Sequence, residues 1–182
     1  MMQRRAFLKS SLLAVSAVAP TLSIPALAKT AQAAPGERTL RLYNTHTGEK
    51  LSTVFWAEGD FIPDAMKDIN KVLRDHRNNK VAQMDPELLL LLTQLNDKLD
   101  NKRELHIISG YRSPESNAKL RAASGGVARH SLHMDAKAID IRLPGKDLKM
   151  LHKAAMSLKG GGVGYYASSQ FVHMDTGRVR YW

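Results

Sequence analysis

Two histidines and one aspartate stand at positions from which they could bind a metal ion. His133 and Asp140 are seven residues apart, and His173 follows thirty-three residues later. Two imidazoles and one carboxylate, with a fourth position left open for water, form a known type of catalytic zinc site. The chain has no cysteine, so a metal ion bound by side chains must be held by His, Asp or Glu.

The residues around Asp140 and His173 predict a strand at each position. Asp140 interrupts an apolar run in which Ile139 and Ile141 point to one face of the strand and Asp140 to the other. A carboxylate placed there is costly unless it is ion-paired, hydrogen-bonded or bound to a metal. A structural histidine in the core and an ion-paired aspartate would satisfy the same pattern. Spacing alone therefore leaves the metal site and this alternative about equal.

Hydrophobic periodicity and turn residues indicate the elements that would position these side chains. Helical spacing of apolar residues, often after a proline, predicts helices over 62–76, 85–99, 113–123 and 146–158. Short β-rich runs predict strands at 38–43, 51–56, 105–108, 138–143, 160–166 and 171–175, the first two as a hairpin. Strands and helices do not alternate strictly. The sequence therefore predicts a single α+β domain with a mainly antiparallel sheet and flanking helices.

Three motifs, in order along the chain, resemble those of the D-Ala-D-Ala metallopeptidase family of zinc carboxypeptidases and endopeptidases. Residues 131–140 (S-L-H-M-D-A-K-A-I-D) are similar to the signature S-x-H-x-x-G-x-A-x-D. Residues 109–113 (S-G-Y-R-S) match its upstream segment, and 171–173 (F-V-H) its last histidine motif. The signature glycine is Ala136 here, a change that costs little if the backbone has ordinary dihedral angles.

The resemblance covers nearly the whole chain and implies both a site and an activity. His133, Asp140 and His173 would bind Zn²⁺ on the sheet of a zinc peptidase domain at 34–182. Arg112 would bind a substrate carboxylate or the oxyanion with its planar guanidinium. The expected function is hydrolysis of peptide cross-links in peptidoglycan. A D-Ala carboxypeptidase acting on the peptide stems and a non-catalytic wall-binding module are the alternatives.

The general base of the family is not found at its usual position. The family has Asp or Glu three residues before the last histidine, and this chain has Gln170, which cannot take a proton. Asp175 is the first candidate to replace it, because it lies two residues beyond His173 and so on the same strand face. It could equally orient a metal ligand. His130 is the second candidate and Asp135 the third.

The first 33 residues have the features of an export signal that is later cleaved. Arg4 and Arg5 precede Phe-Leu-Lys and a weakly apolar, proline-interrupted run, which resembles a twin-arginine signal. Small residues at 26–28 and 31–33 offer two cleavage sites. A membrane anchor is the alternative, but the prolines and the lack of stop-transfer charges favour cleavage. We therefore expect export to the periplasm and no stable membrane anchor.

The chain is strongly basic, which bears on its partners. Its formal net charge is +10, which falls to +7 if cleavage after Ala28 removes Arg4, Arg5 and Lys9. A positive surplus favours polyanions through long-range attraction. For an exported protein that polyanion is anionic wall polymer, and the chain carries no nucleic-acid recognition motif. We expect peptidoglycan as the partner and no nucleic acid. The sequence does not indicate an oligomeric state.

Overall fold

The computed structural model describes residues 36–182, so the signal peptide predicted at 1–33 lies outside the described residues. In this part of the chain no helix combines the length and apolar character needed to span a membrane. The strands are β1 (Arg38–Asn44), β2 (Lys50–Ala57), β3 (Asp60–Phe61), β4 (Leu105–Ser109), β5 (Ala138–Arg142), β6 (Gly162–Tyr166), β7 (Phe171–Asp175) and β8 (Arg180–Tyr181). The helices are α1 (Pro63–Val72), α2 (Pro86–Lys98), α3 (Pro114–Ala123) and α4 (Leu148–Leu158).

The strands of residues 36–182 form one mixed sheet in the order β3-β2-β1-β4-β5-β7-β6-β8. The pairs β1–β4 and β6–β8 are parallel, and the other five neighbouring pairs are antiparallel. This arrangement confirms the predicted α+β domain with a mainly antiparallel sheet. Because β5 lies between β4 and β7, it places Asp140 near the middle of the sheet.

Helices α2, α3 and α4 begin where the sequence supplies a capping side chain. The Asp85 carboxylate accepts the backbone N–H of Glu87 at 3.0 Å, and the Ser113 hydroxyl accepts that of Ser116 at 3.2 Å. Asp147 caps α4 in the same way. These bonds satisfy backbone donors that a first helical turn leaves unpaired. The cap at Ser113 also fixes the direction in which the chain leaves Arg112.

Helix α1 ends at Val72, earlier than the sequence predicted, because Asp75 draws the chain into a turn. The Asp75 carboxylate accepts the backbone N–H of Arg77 at 3.0 Å and that of Ser113 at 2.9 Å. A side chain that binds nearby backbone groups competes with continuation of a helix. Since Ser113 caps α3, this turn joins the end of α1 to the start of α3.

One face of the sheet is covered by α1, α2 and α4, and the core lies between these two layers. Strand alternation sends Ile139 and Ile141 into this core and Asp140 to the opposite face, as predicted. Burying a large aliphatic side chain stabilises the fold by roughly 1.5–3 kcal/mol relative to leaving it exposed. The fully buried members include Leu40, Leu42, Phe55, Ile69, Leu73, Leu88, Leu92, Leu95, Leu105 and Val172.

Candidate metal centre and cleft

His133, Asp140 and His173 come together on the face of the sheet opposite α1, α2 and α4. Asp140 on β5 pairs directly with His173 on β7, and His133 lies in the turn that precedes β5. The three residues are 2%, 6% and 8% exposed. Their ligand atoms all lie within 4.8 Å of one another. The three residues that the sequence singled out as ligands therefore form one buried cluster.

Two of the three donor separations in this cluster match those of a tetrahedral metal site, and the third is shorter. Nε2 of His133 lies 3.3 Å from Nδ1 of His173 and 3.3 Å from Oδ1 of Asp140. Nδ1 of His173 lies 2.9 Å from the same Asp140 oxygen. Tetrahedral ligand bonds of about 2.0–2.2 Å place neighbouring donors roughly 3.3 Å apart. The residues fit a metal ion held by two nitrogens and one oxygen.

Each imidazole of the cluster is oriented by an acceptor on its far side. Nδ1 of His133 donates to the carbonyl oxygen of Gly110 at 2.7 Å, and Nε2 of His173 donates to Oδ2 of Asp175 at 2.9 Å. A carbonyl or carboxylate oxygen can only accept, so these ring nitrogens carry the hydrogens. The other two ring nitrogens, Nε2 of His133 and Nδ1 of His173, face each other, and Nδ1 of His173 also lies at hydrogen-bond distance from Oδ1 of Asp140. A cation bound between them would replace that hydrogen bond, and an acceptor behind each ring is the usual outer-shell pattern of a metal-bound histidine.

The charges around the cluster favour a cation. Burial alone would raise the pKa of Asp140, but the charge and hydrogen bonds of His133 and His173 hold that pKa well below its usual range. Burial alone would lower the pKa of His173, but hydrogen bonds to Asp140 and Asp175 raise it above the ordinary value. Both carboxylates therefore stay ionised on either side of the His173 ring.

The turn that carries His133 closes through Ala136 in a left-handed conformation. Ala136 has φ 56° and is 2% exposed. Its carbonyl accepts the backbone N–H of Asp85 at 3.0 Å, and Lys137 N–H donates to Leu132 O at 2.9 Å. The left-handed region costs an alanine roughly 1–2 kcal/mol. The backbone at Ala136 does not have ordinary dihedral angles, so alanine in place of the signature glycine costs free energy there.

Arg112 lies beside the cluster of candidate ligands and lines the cleft above it. Its Nη2 lies 3.8 Å from Oδ2 of Asp140, and its Nη1 donates to Oδ1 of Asn117 at 3.4 Å. Its Nε is buried and has no hydrogen-bond partner in the described part of the chain. Burial lowers the pKa of Arg112, and the charge of Asp140 opposes that shift. A guanidinium with spare donors beside the ligands can bind an anionic substrate group.

Sequence reasoning did not single out two residues that hold the Arg112 segment in place. Asn117 on α3 is buried, accepts from Arg112 and donates from Nδ2 to the carbonyl of Ala128 at 3.1 Å. Asp75 is fully buried and accepts the backbone N–H of Ser113. Neither residue belongs to a motif with recognisable spacing. The burial that marks both residues is visible only in the structure.

Asp175 lies behind His173 and does not line the cleft. It is fully buried, and besides His173 it accepts hydrogen bonds from the backbone N–H groups of Gly162 and Gly177 at 3.0 and 2.9 Å. Arg180 donates to both carboxylate oxygens, at 3.0 and 2.7 Å. Burial would raise the pKa of Asp175, but these hydrogen bonds hold it well below its usual range. The carboxylate has no free side toward the cleft.

The other residues considered for proton transfer lie in different surroundings. His130 is exposed and lines the cleft. Asp135 is exposed and is not among the described residues that line it. Gln170 is also outside the cleft wall, at φ 56°, and its side-chain amide donates to the carbonyl of Ala167 in its own turn. Of these three, the structure brings only His130 to the cleft.

The cleft has a volume of about 240 Å³, and one of its walls is aromatic. The rings of Tyr166 and Phe171 stack with centroids 4.5 Å apart, and Trp182 Nε1 donates to the Tyr166 hydroxyl at 2.9 Å. The Trp182 ring lies 5.3 Å from that of His173, and the Arg180 guanidinium lies 4.9 Å from the Trp182 ring. This wall joins the cleft to the bonds behind His173.

The glycine-rich segment before Tyr165 permits this close packing. Gly164 pairs with His173, and a Cβ there would lie 2.6 Å from the Trp182 ring. A Cβ at Gly161 would meet the backbone of Asp175, and one at Gly162 would meet its side chain. The glycines therefore let β6 lie against the strand that carries His173.

Known proteins resemble this chain along most of its length. The profile of the family described as peptidoglycan L,D-endopeptidase MepK matches residues 32–182. Peptidoglycan L,D-endopeptidase MepK of Escherichia coli K12 is 40% identical over 175 residues, which cover 96% of each chain. The protein of that name from Shigella flexneri has the same identity and coverage.

A third relative comes from another organism. The probable peptidoglycan L,D-endopeptidase MepK of Haemophilus influenzae is 42% identical over 149 residues, which cover 81% of this chain and 80% of that protein. The described metal cluster and cleft lie within the residues that the family profile matches. This chain belongs to the MepK family of D-Ala-D-Ala metallopeptidases.

Proposed function

We propose that this protein is a zinc-dependent endopeptidase that hydrolyses peptide cross-links in peptidoglycan. The observation that carries the proposal is the convergence of the ligand atoms of His133, Asp140 and His173 within 4.8 Å of one another, at the cleft of a MepK-family chain. Two imidazoles and one carboxylate suit zinc better than magnesium or calcium, which prefer oxygen ligands. The L,D-endopeptidase name of the relatives supports the diaminopimelate–diaminopimelate cross-link as the bond that is cut. The D-Ala–diaminopimelate cross-link is the second possible substrate.

The protein's own residues supply position and charge around the metal. When bound, zinc would supply Lewis-acid activation of water and of the scissile carbonyl. Arg112, 3.8 Å from Asp140, would hold a substrate carboxylate or the developing oxyanion with its free donors. The aromatic wall of Tyr166, Phe171 and Trp182 would limit how the stem peptide enters. Each of these groups contacts the cleft directly.

The proton-transfer role is best assigned to His130. It is exposed and lines the cleft, so a ring nitrogen can take a proton from water and deliver it to the leaving amine. Asp175 is a positioning residue in this account, because its five hydrogen bonds leave it no free lone pair toward the substrate. Its carboxylate holds the His173 ring in the tautomer that leaves Nδ1 free for the metal.

Export to the periplasm through the twin-arginine route, followed by cleavage within 1–33, completes the proposal. The Arg4-Arg5 pair and the small-residue sites support it, as does a substrate that lies outside the cytoplasmic membrane. A domain that must bind a metal also suits a route that carries folded proteins. Cell fractionation of an Arg4→Lys/Arg5→Lys variant tests this part, and periplasmic accumulation of that variant would contradict the twin-arginine route.

Chromatography of purified muropeptides tests the activity. Cross-linked dimers and pentapeptide monomers are incubated with the zinc-loaded protein and with His133→Ala. The proposal predicts that the unmutated protein converts dimers to monomers and that His133→Ala does not. Shortened monomers with intact dimers would instead identify a carboxypeptidase. Unchanged muropeptides in the presence of stoichiometric zinc would leave a wall-binding module.

A further inference from the structure

The face of the sheet that holds His133, Asp140 and His173 also carries a row of basic and aromatic side chains. Cross-strand pairing aligns four residues in one row across β2, β1, β4 and β5: Lys50, Tyr43, His106 and Arg142. Directly paired residues on neighbouring strands point to the same face. The Lys50 ammonium lies 5.4 Å from the Tyr43 ring centroid, and the Tyr43 and His106 rings meet edge to face at 4.8 Å. The row has a cation at each end and two rings between them.

More cations surround this row. Arg41, Lys102 and Arg103 join His106 around an open depression of about 430 Å³. We call the set Arg41, Lys50, Lys102, Arg103, His106 and Arg142 the basic face.

Few carboxylates neutralise the basic face. Glu104 pairs with Lys50 at 3.3 Å, and Asp100 pairs with Lys102 at 3.4 Å. Within residues 36–182, Arg41, Arg103 and Arg142 take part in no ion pair. Five cationic side chains against two carboxylates leave a surplus of three positive charges on one surface. A local surplus of this kind attracts polyanions and raises their concentration beside it.

The basic face is continuous, through β5, with the site formed by His133, Asp140 and His173. Arg142 lies two residues beyond the ligand Asp140 on the same strand, so both side chains point to the same face of the sheet. Two residues along a strand span about 6.5 Å. A long ligand that enters the cleft over Asp140 can therefore continue across Arg142 into the depression beside Arg41 and Arg103.

We propose that the basic face binds carboxylates of peptidoglycan stem peptides neighbouring the one whose bond is cut. This inference rests on the proposed function for the identity of the polymer. Stem peptides carry several free carboxylates, and arginine forks bind carboxylates in a bidentate geometry. The surface holds the protein on its polymeric substrate, while the cleft selects the bond. Binding to sacculi therefore depends on the basic face and weakens with salt.

Co-sedimentation with purified sacculi tests this inference. All proteins are full-length and carry His133→Ala, so that the sacculi are not degraded, and circular dichroism checks their folding. The test variant adds Arg41→Glu/Arg103→Glu. The matched control adds Lys149→Glu/Lys153→Glu, which makes the same charge change at exposed positions of α4, on the helix-covered side of the sheet.

We expect the arginine variant to bind sacculi about tenfold more weakly than the lysine control, since two attractions become two repulsions. A milder Arg41→Gln/Arg103→Gln variant should lose about threefold by the same reasoning. Raising the salt from roughly 0.05 M to roughly 0.5 M should remove most of the difference. Sacculus binding within twofold for the arginine variant and the lysine control would overturn the inference. So would binding to vesicles of anionic phospholipid but not to sacculi.

The inference and the proposed function can fail separately. The His133→Ala background binds without cutting, so the co-sedimentation result does not depend on catalysis. Cleavage of soluble dimers by the unmutated protein decides the function without reference to Arg41 or Arg103. Binding that depends on the arginines, without cleavage of dimers, would support the basic face and contradict the endopeptidase function. Cleavage of dimers without arginine-dependent binding would support the endopeptidase function and contradict the basic face.

Discussion

Nε2 of His173 lies 2.9 Å from Oδ2 of Asp175, on the opposite side of the ring from the nitrogen that faces the metal position. This bond keeps a hydrogen on Nε2, so Nδ1, which lies 2.9 Å from Oδ1 of Asp140, is the ring nitrogen that could bind a metal ion. Asp175 is in turn fixed by Arg180 and two backbone N–H groups. The orientation of His173, a candidate metal ligand, therefore depends on its hydrogen bond to Asp175 and on Arg180, which also lies against the Trp182 ring in the wall of the cleft.

Replacing Asp175 with asparagine should weaken metal binding more than it changes the chemical step. Loss of the acceptor charge behind His173 is expected to lower zinc affinity about 10- to 100-fold. Activity should largely return at saturating zinc. Asp75→Asn is the matched control, because Asp75 is equally buried and also accepts backbone N–H groups but contacts no metal ligand.

Zinc titration followed by kinetics at saturating metal separates the two roles of Asp175. If Asp175→Asn binds zinc as tightly as the unmutated protein but does not turn over, the carboxylate is the general base and the positioning role is wrong. Equal weakening of zinc affinity in Asp75→Asn would show a general stability effect.

Arg112→Lys should reduce kcat/KM without changing zinc content. Lysine keeps the charge but loses the planar fork that lies beside Asp140. Removal of one oxyanion donor costs about 10²- to 10³-fold in turnover in other enzymes, and a retained charge should limit the loss to about 10- to 100-fold. Arg121→Lys, at an exposed position of α3, is the control. A kcat/KM within twofold of the unmutated value would exclude Arg112 from substrate or transition-state binding.

Two alanine-to-glycine changes should differ because of one backbone angle. Ala136 and Ala138 are both buried, but only Ala136 is left-handed. Removing a buried methyl group costs about 0.8 kcal/mol, and glycine adds roughly 0.5–1 kcal/mol of backbone entropy. At Ala136, relief of roughly 1–2 kcal/mol of strain offsets both losses.

Urea unfolding of the metal-free proteins measures this difference. Ala136→Gly is expected to stay within about 1 kcal/mol of the unmutated free energy of unfolding, and Ala138→Gly to lose about 1.5 kcal/mol. Equal losses at the two positions would show that the left-handed backbone at Ala136 carries no strain.

His76 should make the stability pH-dependent below neutrality. Burial, then the charges of Arg77 and His46, lower the pKa of His76 from its ordinary value to about 4. The His46 ring stacks on it at 3.8 Å. His76 therefore takes up a proton near pH 6.5 in the unfolded chain but only near pH 4 in the folded chain. The free energy of unfolding is therefore highest above pH 6.5 and decreases as the pH falls from 6.5 to about 4.

Melting temperatures of the metal-free unmutated protein and His76→Gln, measured between these two pH values, test this shift. The variant should lose less stability on acidification, because glutamine does not titrate. Parallel curves for the two proteins would mean that His76 keeps an ordinary pKa in the folded state.

Much of the site could be predicted from sequence because local patterns placed its residues. The isoleucines on either side of Asp140 fixed which face of β5 it would occupy, and Val172 and Met174 did the same for His173. Alternation is a property of one strand, so it needs no knowledge of the partner strands. The caps at Asp85 and Ser113 marked helix starts for the same local reason.

The features that the sequence did not predict depend on contacts between distant segments. Strands β3 and β8 are two residues each, too short to carry a hydrophobic pattern. The left-handed angle of Ala136 and the role of Asp75 follow from turns whose partners lie far along the chain. Asp175 lies behind His173 and outside the cleft, where Gly162 and Arg180 donate hydrogen bonds to its carboxylate. The argument that Asp175 shares a strand face with His173 does not include these two partners.

The most direct test of the metal centre is the zinc content of the purified protein, measured by inductively coupled plasma mass spectrometry. The comparison includes the unmutated chain, His133→Ala, Asp140→Ala and, as a control at the cleft, His130→Ala. We predict about one zinc per chain for the unmutated protein and for His130→Ala, and little or none for the two ligand variants. Full zinc content in both ligand variants, or none in the folded unmutated protein, would contradict the account.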